Sequence, residues 1–403
     1  MNAVGIDISK EKSMVCIMRP FGEVVASPFE VLHTTQALDE LAKMIEDLDG
    51  ETKVIMECTG TYYLPVAYAL HEAGLFVSTI HAQIIHNFGN NTIRRAKTDK
   101  KDAVKIANYG LSVWLKLPRF VPEEDIRRSL KVFSRQYNKY IKLRVMLKNN
   151  FISLTDETFP GVNELFPSYR RKRDGHEKWI DFAREFWHAE CICNLSPKRF
   201  TQKYKKWCKA NNYRFSEEKA EEIYESSAGH FCVMPMDETT KLLVNEVVNQ
   251  LNYISETIAI FAGEMKRLAE MLPEYPVVSQ MGGVGYILAP QVMAEIGDVF
   301  RFYRKSSLVS FAGLEPVDNK SGKFQGNESV SKQGSPHLRG TLFLVMRSLL
   351  QHKTVDDPVY QFIDRKRSEG KHYYCYMTAG SAKFLRIYFA RVREYLLNLE
   401  EAG

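Results

Sequence analysis

Four carboxylates in the first quarter of the chain have the types and spacing that hold divalent cations: Asp7, Glu57, Asp99 and Asp102. Asp7 lies inside the apolar run Val4-Gly5-Ile6-Asp7-Ile8, and Glu57 ends a second run, Val54-Ile55-Met56-Glu57. Asp99 and Asp102 stand three apart in Lys97-Thr98-Asp99-Lys100-Lys101-Asp102-Ala103, so a helix presents them on one face. Gathered without a cation, such groups raise one another's pKa. Magnesium or manganese takes oxygen ligands, and a pair of such ions activates an attacking oxygen and stabilises a leaving one. That is phosphodiester chemistry. The competing reading is ordinary surface acids, and Lys97, Lys100 and Lys101 favour it for Asp99 and Asp102. Asp7 resists it, because an aspartate within an apolar strand needs a partner.

Holding these groups takes a sheet with its strand ends aligned. Strands are expected at 2–8, 13–18 and 22–31, with Arg19-Pro20-Phe21-Gly22 as a turn. Thr34 or Thr35 can cap a helix that carries Leu38, Leu41, Ile45 and Leu48. A strand at 53–57, a helix at 63–72 closed by Gly74 and a strand at 76–80 complete a mixed α/β sheet. Functional groups of such sheets collect at strand ends.

The 403 residues allow two or three domains with real cores. The net charge of +6 is a weak hint of an anionic partner. Seven scattered cysteines argue against a disulfide framework and for reduced thiols. The N-terminus opens straight into a strand, unlike a signal peptide, and no uncharged apolar stretch is long enough to span a membrane. A soluble, cytoplasmic protein with no membrane partner is expected.

Residues 121–159 read as one long basic helix. Its stripe is Ile126, Leu130, Phe133, Tyr137 and Tyr140, and Arg127, Arg128, Lys131, Arg135, Lys139, Lys142, Arg144 and Lys148 interleave with it. No acid falls between Ile126 and Thr155. Such a face tracks a nucleic-acid backbone and offers rings for stacking; the plainer alternative is aromatics in a core and a solvated charged face.

Residues 160–240 look like an inserted subdomain, with Trp179, Trp187 and Trp207 and the basic clusters Arg170-Arg171-Lys172-Arg173 and Lys203, Lys205, Lys206, Lys209. His188, Cys191, Cys193, Cys208, His230 and Cys232 also fall there. Their pairs are closer than the C-x₂₋₄-C of zinc modules, so ordinary thiols are preferred and zinc is not expected.

Between 241 and 274, Val244, Val247, Leu251, Ile254, Ile258, Phe261, Met265, Leu268 and Leu272 alternate spacings of three and four. That seam reads as a coiled coil and suggests a homodimer; an amphipathic helix packed within its own subunit is the alternative. Pro273 and Pro276 end the helix, and a last domain fills 275–403.

Gly5-Ile6-Asp7-Ile8-Ser9-Lys10, Glu57-Cys58-Thr59-Gly60-Thr61-Tyr62 and Lys97-Thr98-Asp99-Lys100-Lys101-Asp102-Ala103 resemble the three motif blocks of the DEDD transposases of the one-ten insertion-sequence family. The last domain extends the likeness through Gly282-Gly283-Val284-Gly285, Ala294-Glu295-Ile296-Gly297, Phe311-Ala312-Gly313-Leu314-Glu315-Pro316, Lys320-Ser321-Gly322-Lys323 and Lys332-Gln333-Gly334-Ser335-Pro336-His337-Leu338-Arg339. The resemblance implies a ribonuclease H-like, RuvC-like α/β domain at 1–120, a long helical and coiled-coil middle, and a mainly α-helical C-terminal transposase domain. It implies Asp7, Glu57, Asp99 and Asp102 as ligands of magnesium or manganese, and Ser321 as the recombination nucleophile. It implies donor and target DNA as substrates, and a structured non-coding guide RNA as partner. Strand exchange between two duplexes suggests a dimer of dimers on DNA, and the resemblance implies an active site composed from domains of different subunits.

Physical reasoning adds that the glycine beside Ser321 lets a phosphate approach closely, while Lys320 and Lys323 stabilise a pentacoordinate phosphorus; without the resemblance, Lys320-Ser321-Gly322-Lys323 reads as a plain surface turn. Lys332 and Arg339 are candidates to grip the scissile phosphate, Arg339 from near a helix N-terminus. Gly282-Gly283-Val284-Gly285 is either a phosphate-gripping loop or a tight turn. Two other functions stay open: a junction-resolving nuclease that cuts with water, and a non-catalytic RNA-binding scaffold.

Overall fold

The computed structural model describes residues 1–58, 60–88, 98–167, 169–317, 320–321, 324–325 and 329–402. The chain divides into two units, Met1–Glu123 and Glu124–Gly403.

The first unit is a five-stranded sheet with helices on both faces. In chain order it runs β1 (Asn2–Ile8), β2 (Lys12–Met18), β3 (Val24–Leu32), α1 (Thr35–Glu46), β4 (Thr52–Cys58), α2 (Tyr63–Glu72), β5 (Phe76–His81), α3 (Ala82–Phe88) and α4 (Asp99–Ser112). The strand order is β3-β2-β1-β4-β5. β1, β2 and β3 pair antiparallel, whereas β4 lies parallel to β1 and β5 parallel to β4. This is the ribonuclease H-like arrangement expected. The third strand starts two residues late, at Val24, because Pro20–Gly22 forms a helical turn with Phe21 at φ 64°.

β1 is buried on both faces, so its run is nearly all apolar. Val4 and Ile6 join Val54, Met56 and Val77 beneath α1 and α2. Ala3 joins Cys16, Ile55 and Ile80 beneath α4. Thr34 caps α1, its hydroxyl accepting from the Ala37 amide at 3.3 Å. On the α4 side the approach is so close that a Cβ on Gly5 would strike the Ala103 carbonyl and the Ala107 amide. Only glycine fits there, and it sets how near α4 lies to β1.

The second unit is built on two long helices, α5 (Asp125–Thr158) and α10 (Glu238–Glu270). They run antiparallel: Arg127 meets Glu274, Phe133 and Tyr140 meet Phe261 edge-on, and Arg144 meets Ser255. Val244, Leu251, Ile254, Ile258, Met265 and Leu268 of the seam are buried within the chain. The expectation that this seam pairs two copies is therefore corrected, since the period reports an apolar stripe and α5 supplies the cover.

Between the two helices the chain forms α6 (Lys178–Glu185), α7 (Glu190–Cys193), α8 (Pro197–Ala210) and α9 (Glu217–Ser227). Their core is largely aromatic, with Trp179 stacked on Phe151 of α5 at 5.2 Å and Phe182 on Phe186 at 4.5 Å. After α10 come α11 (Tyr275–Ser279), α12 (Leu288–Ile296) and α13 (Lys305–Phe311). Four two-residue strands follow: β6 (Pro316–Val317), β7 (Lys320–Ser321), β8 (Phe324–Gln325) and β9 (Ser329–Val330). α14 (Pro336–His352), α15 (Pro358–Ser368) and α16 (Tyr373–Ala402) close the chain. These last helices and the Ile126–Tyr137 end of α5 share a second core around Leu342, Val345, Leu385 and Tyr388. Among the described residues no helix is long and apolar enough to cross a membrane.

Candidate active site

The pleat of the sheet decides where the acids of the first unit point. β1 and β4 pair in register at Gly5 and Ile55, both facing α4. Side chains alternate along a strand, so two residues further on Asp7 and Glu57 face the same side as neighbours on adjacent strands. Both are half-buried. α4 enters this side with Asp99 and Asp102 in its first turn, behind the cap at Thr98. Acids there also suit the helix dipole, so they stabilise the helix whatever else they do.

Asp7 and Asp99 line one small cleft together with Ser9, Lys12, Ser13, Met14 and Glu30. Four of those neighbours were not singled out in the sequence: Lys12, Ser13 and Glu30, placed there by strand pairing across the β2–β3 hairpin, and Met14, which pairs with Asp7 on β2. Lys12 Nζ lies 2.6 Å from Glu30 Oε2, and that hydrogen bond, with a smaller pull from Asp99, raises the lysine pKa. Ser13 Oγ lies 2.7 Å from His33 Nε2, whose pKa burial pushes down. Burial likewise raises the thiol of Cys58, beside Glu57.

The donor set of carboxylate oxygens fits a hard divalent cation. Its gathering is partial: among the described residues no three of His, Cys, Asp and Glu stand close enough to hold one ion. The structure brings Asp7 to Asp99 in the cleft and Asp7 beside Glu57 on the sheet, and it does not close all four around a point.

In the second unit Ser321 ends β7, and β7 pairs antiparallel with β8, Ser321 opposite Phe324. Outside this hairpin β6 pairs with β9. Ser321 is thus the last described residue of β7, and Gly322 lies outside the described residues. Lys323 and the side chains of Lys320 and Ser321 lie outside the described residues. The returning segment crosses back over the end of α13, with Ser331 N to Glu315 O at 2.9 Å, Lys332 N to Gly313 O at 3.1 Å and Ser335 N to Phe311 O at 2.7 Å. Lys332 is exposed and held at φ 53°, a left-handed conformation unusual for lysine. Arg339 Nη1 donates to the Ala312 carbonyl at 2.8 Å, so this residue fastens α14 to the end of α13. A structural bond thus occupies part of the guanidinium expected to grip phosphate.

The glycine loop before α12 resolves toward packing. A Cβ on Gly282 would strike the carboxylate of Asp357, which caps α15, and one on Gly283 would lie 2.6 Å from Leu349 Cγ. The phosphate-gripping alternative loses those two positions to close contact.

The basic helix changes most. Arg127 is buried and forms a two-pronged pair with Glu274, its Nη2 3.1 Å from Oε2. Arg135 grips Glu295 with two 3.0 Å bonds. Arg144, 2 % exposed, donates to Glu177 at 2.6 Å, and Lys148 donates to the same carboxylate at 2.7 Å. Phe133 and Tyr140 pack on Phe261, and burial raises the pKa of Tyr137. Arg127 is an interior group, while half-buried Arg135 and the three half-buried rings are engaged within the unit, which leaves little of this face for stacking. Arg128 is exposed, Lys131 is half-buried, and Lys139 and Lys142 remain exposed.

Two members of the insert's cysteine and histidine set are likewise engaged with backbone. His188 lies 3.1 Å from the Met234 carbonyl and accepts from the Glu190 amide, and Cys232 donates to the Thr158 carbonyl at 3.1 Å.

Comparison with known proteins bears on both units. A family model described as "Transposase", of the DEDD type, matches residues 4–160, and the model "Transposase IS116/IS110/IS902 family" matches 275–361. A 43.6 kDa protein of insertion element IS110 from Streptomyces coelicolor is 22% identical over 82% of this chain and 79% of its own length. The pilin gene-inverting protein of Moraxella bovis is 23% identical over 97% of this chain and 95% of its own. The solved structure of T. thermophilus RuvC with a Holliday junction substrate aligns with a TM-score of 0.24 and 10% identity, over 30% of this chain and 98% of that one. The two family models reach the acidic unit at one end and the serine hairpin at the other, and together they cover more than half of the sequence: the chain belongs to the IS110 family of transposases and is a DNA transposase.

Proposed function

We propose that this transposase cuts and rejoins DNA through a phosphoserine ester at Ser321, with Asp7, Glu57, Asp99 and Asp102 holding magnesium or manganese, at sites chosen by a bound structured RNA. The observation that carries the metal half is the common orientation of Asp7 and Glu57 toward α4, with Asp99 lining the cleft at Asp7. Divalent cations, when bound, supply a positive field for the oxygens of the phosphate undergoing substitution. The serine half is supported by the motif around Ser321 and by its place at the tip of a hairpin.

In this reading Ser321 Oγ attacks phosphorus and loses its proton to solvent. The bond from phosphorus to the 3′ oxygen breaks, and that oxygen leaves as a hydroxyl by taking up a proton. The 5′ end is then esterified to the serine, and attack by another strand's 3′ hydroxyl reverses the step and frees the serine. Exchange between two duplexes calls for several copies of the chain. Exposed Lys139 and Lys142, with Lys332, are the cations best placed for backbone contact.

The test is to trap a covalent protein–DNA adduct on a nicked substrate and map the attached residue. Ser321→Ala is expected to abolish both adduct and cleavage. Continued cutting by Ser321→Ala, without adduct, identifies a nuclease that uses water instead. Transposition untouched by Asp7→Asn identifies a scaffold.

A further inference from the structure

Helix α8 of the insert has no part in the site described above. Its inner face buries Phe200, Tyr204, Trp207 and Cys208. Its other residues include Lys198, Arg199, Lys203, Lys205, Lys206 and Lys209, all exposed, with no acid anywhere in the helix. Lys203 reaches Glu185 at 3.1 Å and Lys205 lies over the Phe215 ring at 5.6 Å. Among the described residues, the side chains of Lys198, Arg199, Lys206 and Lys209 have no hydrogen-bond, ion-pair or ring partner. At the C-terminal end, Arg171 Nη1 donates to the Asn211 carbonyl at 2.9 Å, which brings exposed Lys172 and Arg173 to the same end.

The neighbouring helix has the opposite sign. α9 packs on α8 and exposes Glu217, Glu218, Glu221, Glu222 and Glu225. Among the described residues no ion pair crosses from one helix to the other. A surface that only needs solvation mixes its charges. Here they are sorted by helix, which leaves a positive face about 21 Å long on 14 residues, with Lys203 paired to Glu185 at its side.

We infer that the outer face of α8 binds the backbone of double-helical DNA, as an anchor separate from the serine and acidic sites; this rests on the reading that the chain acts on DNA. Lysine dominates the face, and its compact charge suits phosphate rather than base edges. The contact is therefore independent of sequence. A projecting helix fits beside or within the wide groove of B-form DNA, whereas the major groove of A-form RNA is too narrow to admit it. The acidic α9 repels the same backbone and fixes which side of the insert turns toward it.

The experiment uses the full chain and a 30-base-pair duplex of arbitrary sequence, with Kd measured across a salt series. The variant is Lys198→Gln/Arg199→Gln/Lys206→Gln/Lys209→Gln, which removes only unpartnered exposed groups; circular dichroism and melting check its fold. Each lost phosphate contact lowers the slope of log Kd against log salt by about 0.9, so a fall of about three to four is expected. A control, Lys266→Gln/Lys353→Gln/Lys366→Gln/Lys371→Gln, removes the same net charge elsewhere on the unit. An unchanged slope in the first variant, or an equal fall in the control, overturns the inference. So does a loss confined to an RNA duplex of equal length, or a change in sedimentation with DNA binding intact, which assigns the face to a second copy. If the unaltered chain shows no salt-dependent DNA binding at all, the reading of a DNA-acting chain fails first.

Discussion

At the scale of single residues, the site turns on two kinds of position. Asp7 and Asp99 share a cleft, and the metal proposal makes both of them ligands. Asp7→Asn or Asp99→Asn is expected to lower cleavage by at least roughly a hundredfold, the size of losing one electrostatic stabiliser of a transition state. A readout apart from activity is melting with manganese. A cation at 100 times its Kd stabilises the state that binds it by about 2.7 kcal/mol, so the unaltered chain melts higher with manganese and neither variant does. Gly5 is the other kind. Gly5→Ala places a methyl against the backbone of Ala103 and Ala107 and should cost about 1–3 kcal/mol, read as a lower denaturant midpoint. Asp7 was legible because an acid in an apolar run stands out. Lys12 and Glu30 were not, because their place beside it comes from pairing across the sheet.

At the scale of elements, charge pairs tie the long helix α5 to the rest of its unit. Glu177 accepts from Arg144, Lys148 and the Trp179 indole, at 2.6, 2.7 and 2.8 Å. Burial alone would raise its pKa; the three donors outweigh that and lower it. Glu177→Ala leaves Arg144 buried without its carboxylate and is expected to cost about 3–5 kcal/mol in denaturant unfolding.

His176 gives a prediction of opposite sign. Burial pushes its imidazole down, but the hydrogen bond and charge of Asp181, with Asp174 and Glu256, raise it overall. A group raised in the folded state stabilises fully below its unfolded pKa of about 6.5 and loses that contribution as pH rises through the folded value. The melting gap between the unaltered chain and His176→Gln should therefore be widest below pH 6 and shrink above neutrality. The carboxylates run the other way: Asp174, held at about 2 against the cost of burial by Arg171 and the His176 amide, gives stability that is lost as pH falls toward that value.

The helices themselves were readable from their periods. Their pairing was not, since Glu274 lies 147 residues from Arg127 and Glu295 lies 160 from Arg135. A run of cations without local acids invited a nucleic-acid reading, while distant acids pair with buried Arg127 and half-buried Arg135.

At the scale of the whole molecule, the covered seam predicts that folding does not depend on association. The melting temperature should stay constant over a hundredfold dilution, whereas a protein folded only as an obligate dimer melts lower as it is diluted. The strands of the first unit and the helices of the C-terminal half were legible in the sequence because each element repeats its pattern locally, whereas the order of the strands is set by pairing across the sheet. Ser321 was singled out by motif alone and its surroundings read as a turn region, since strands described over two residues each have no period to read.

The antiparallel pair also has a length. At 1.5 Å per residue, the 34 residues of α5 make a rod of about 51 Å. The core around Leu342 and Leu385 packs at one end, and the aromatic core of the insert at the other. DNA advances 3.4 Å per base pair, so the rod spans about 15 base pairs. With the α8 face gripping DNA as inferred above, the insert is the far jaw of a caliper, and lengthening both helices by whole turns is expected to lengthen the stretch of DNA the chain protects.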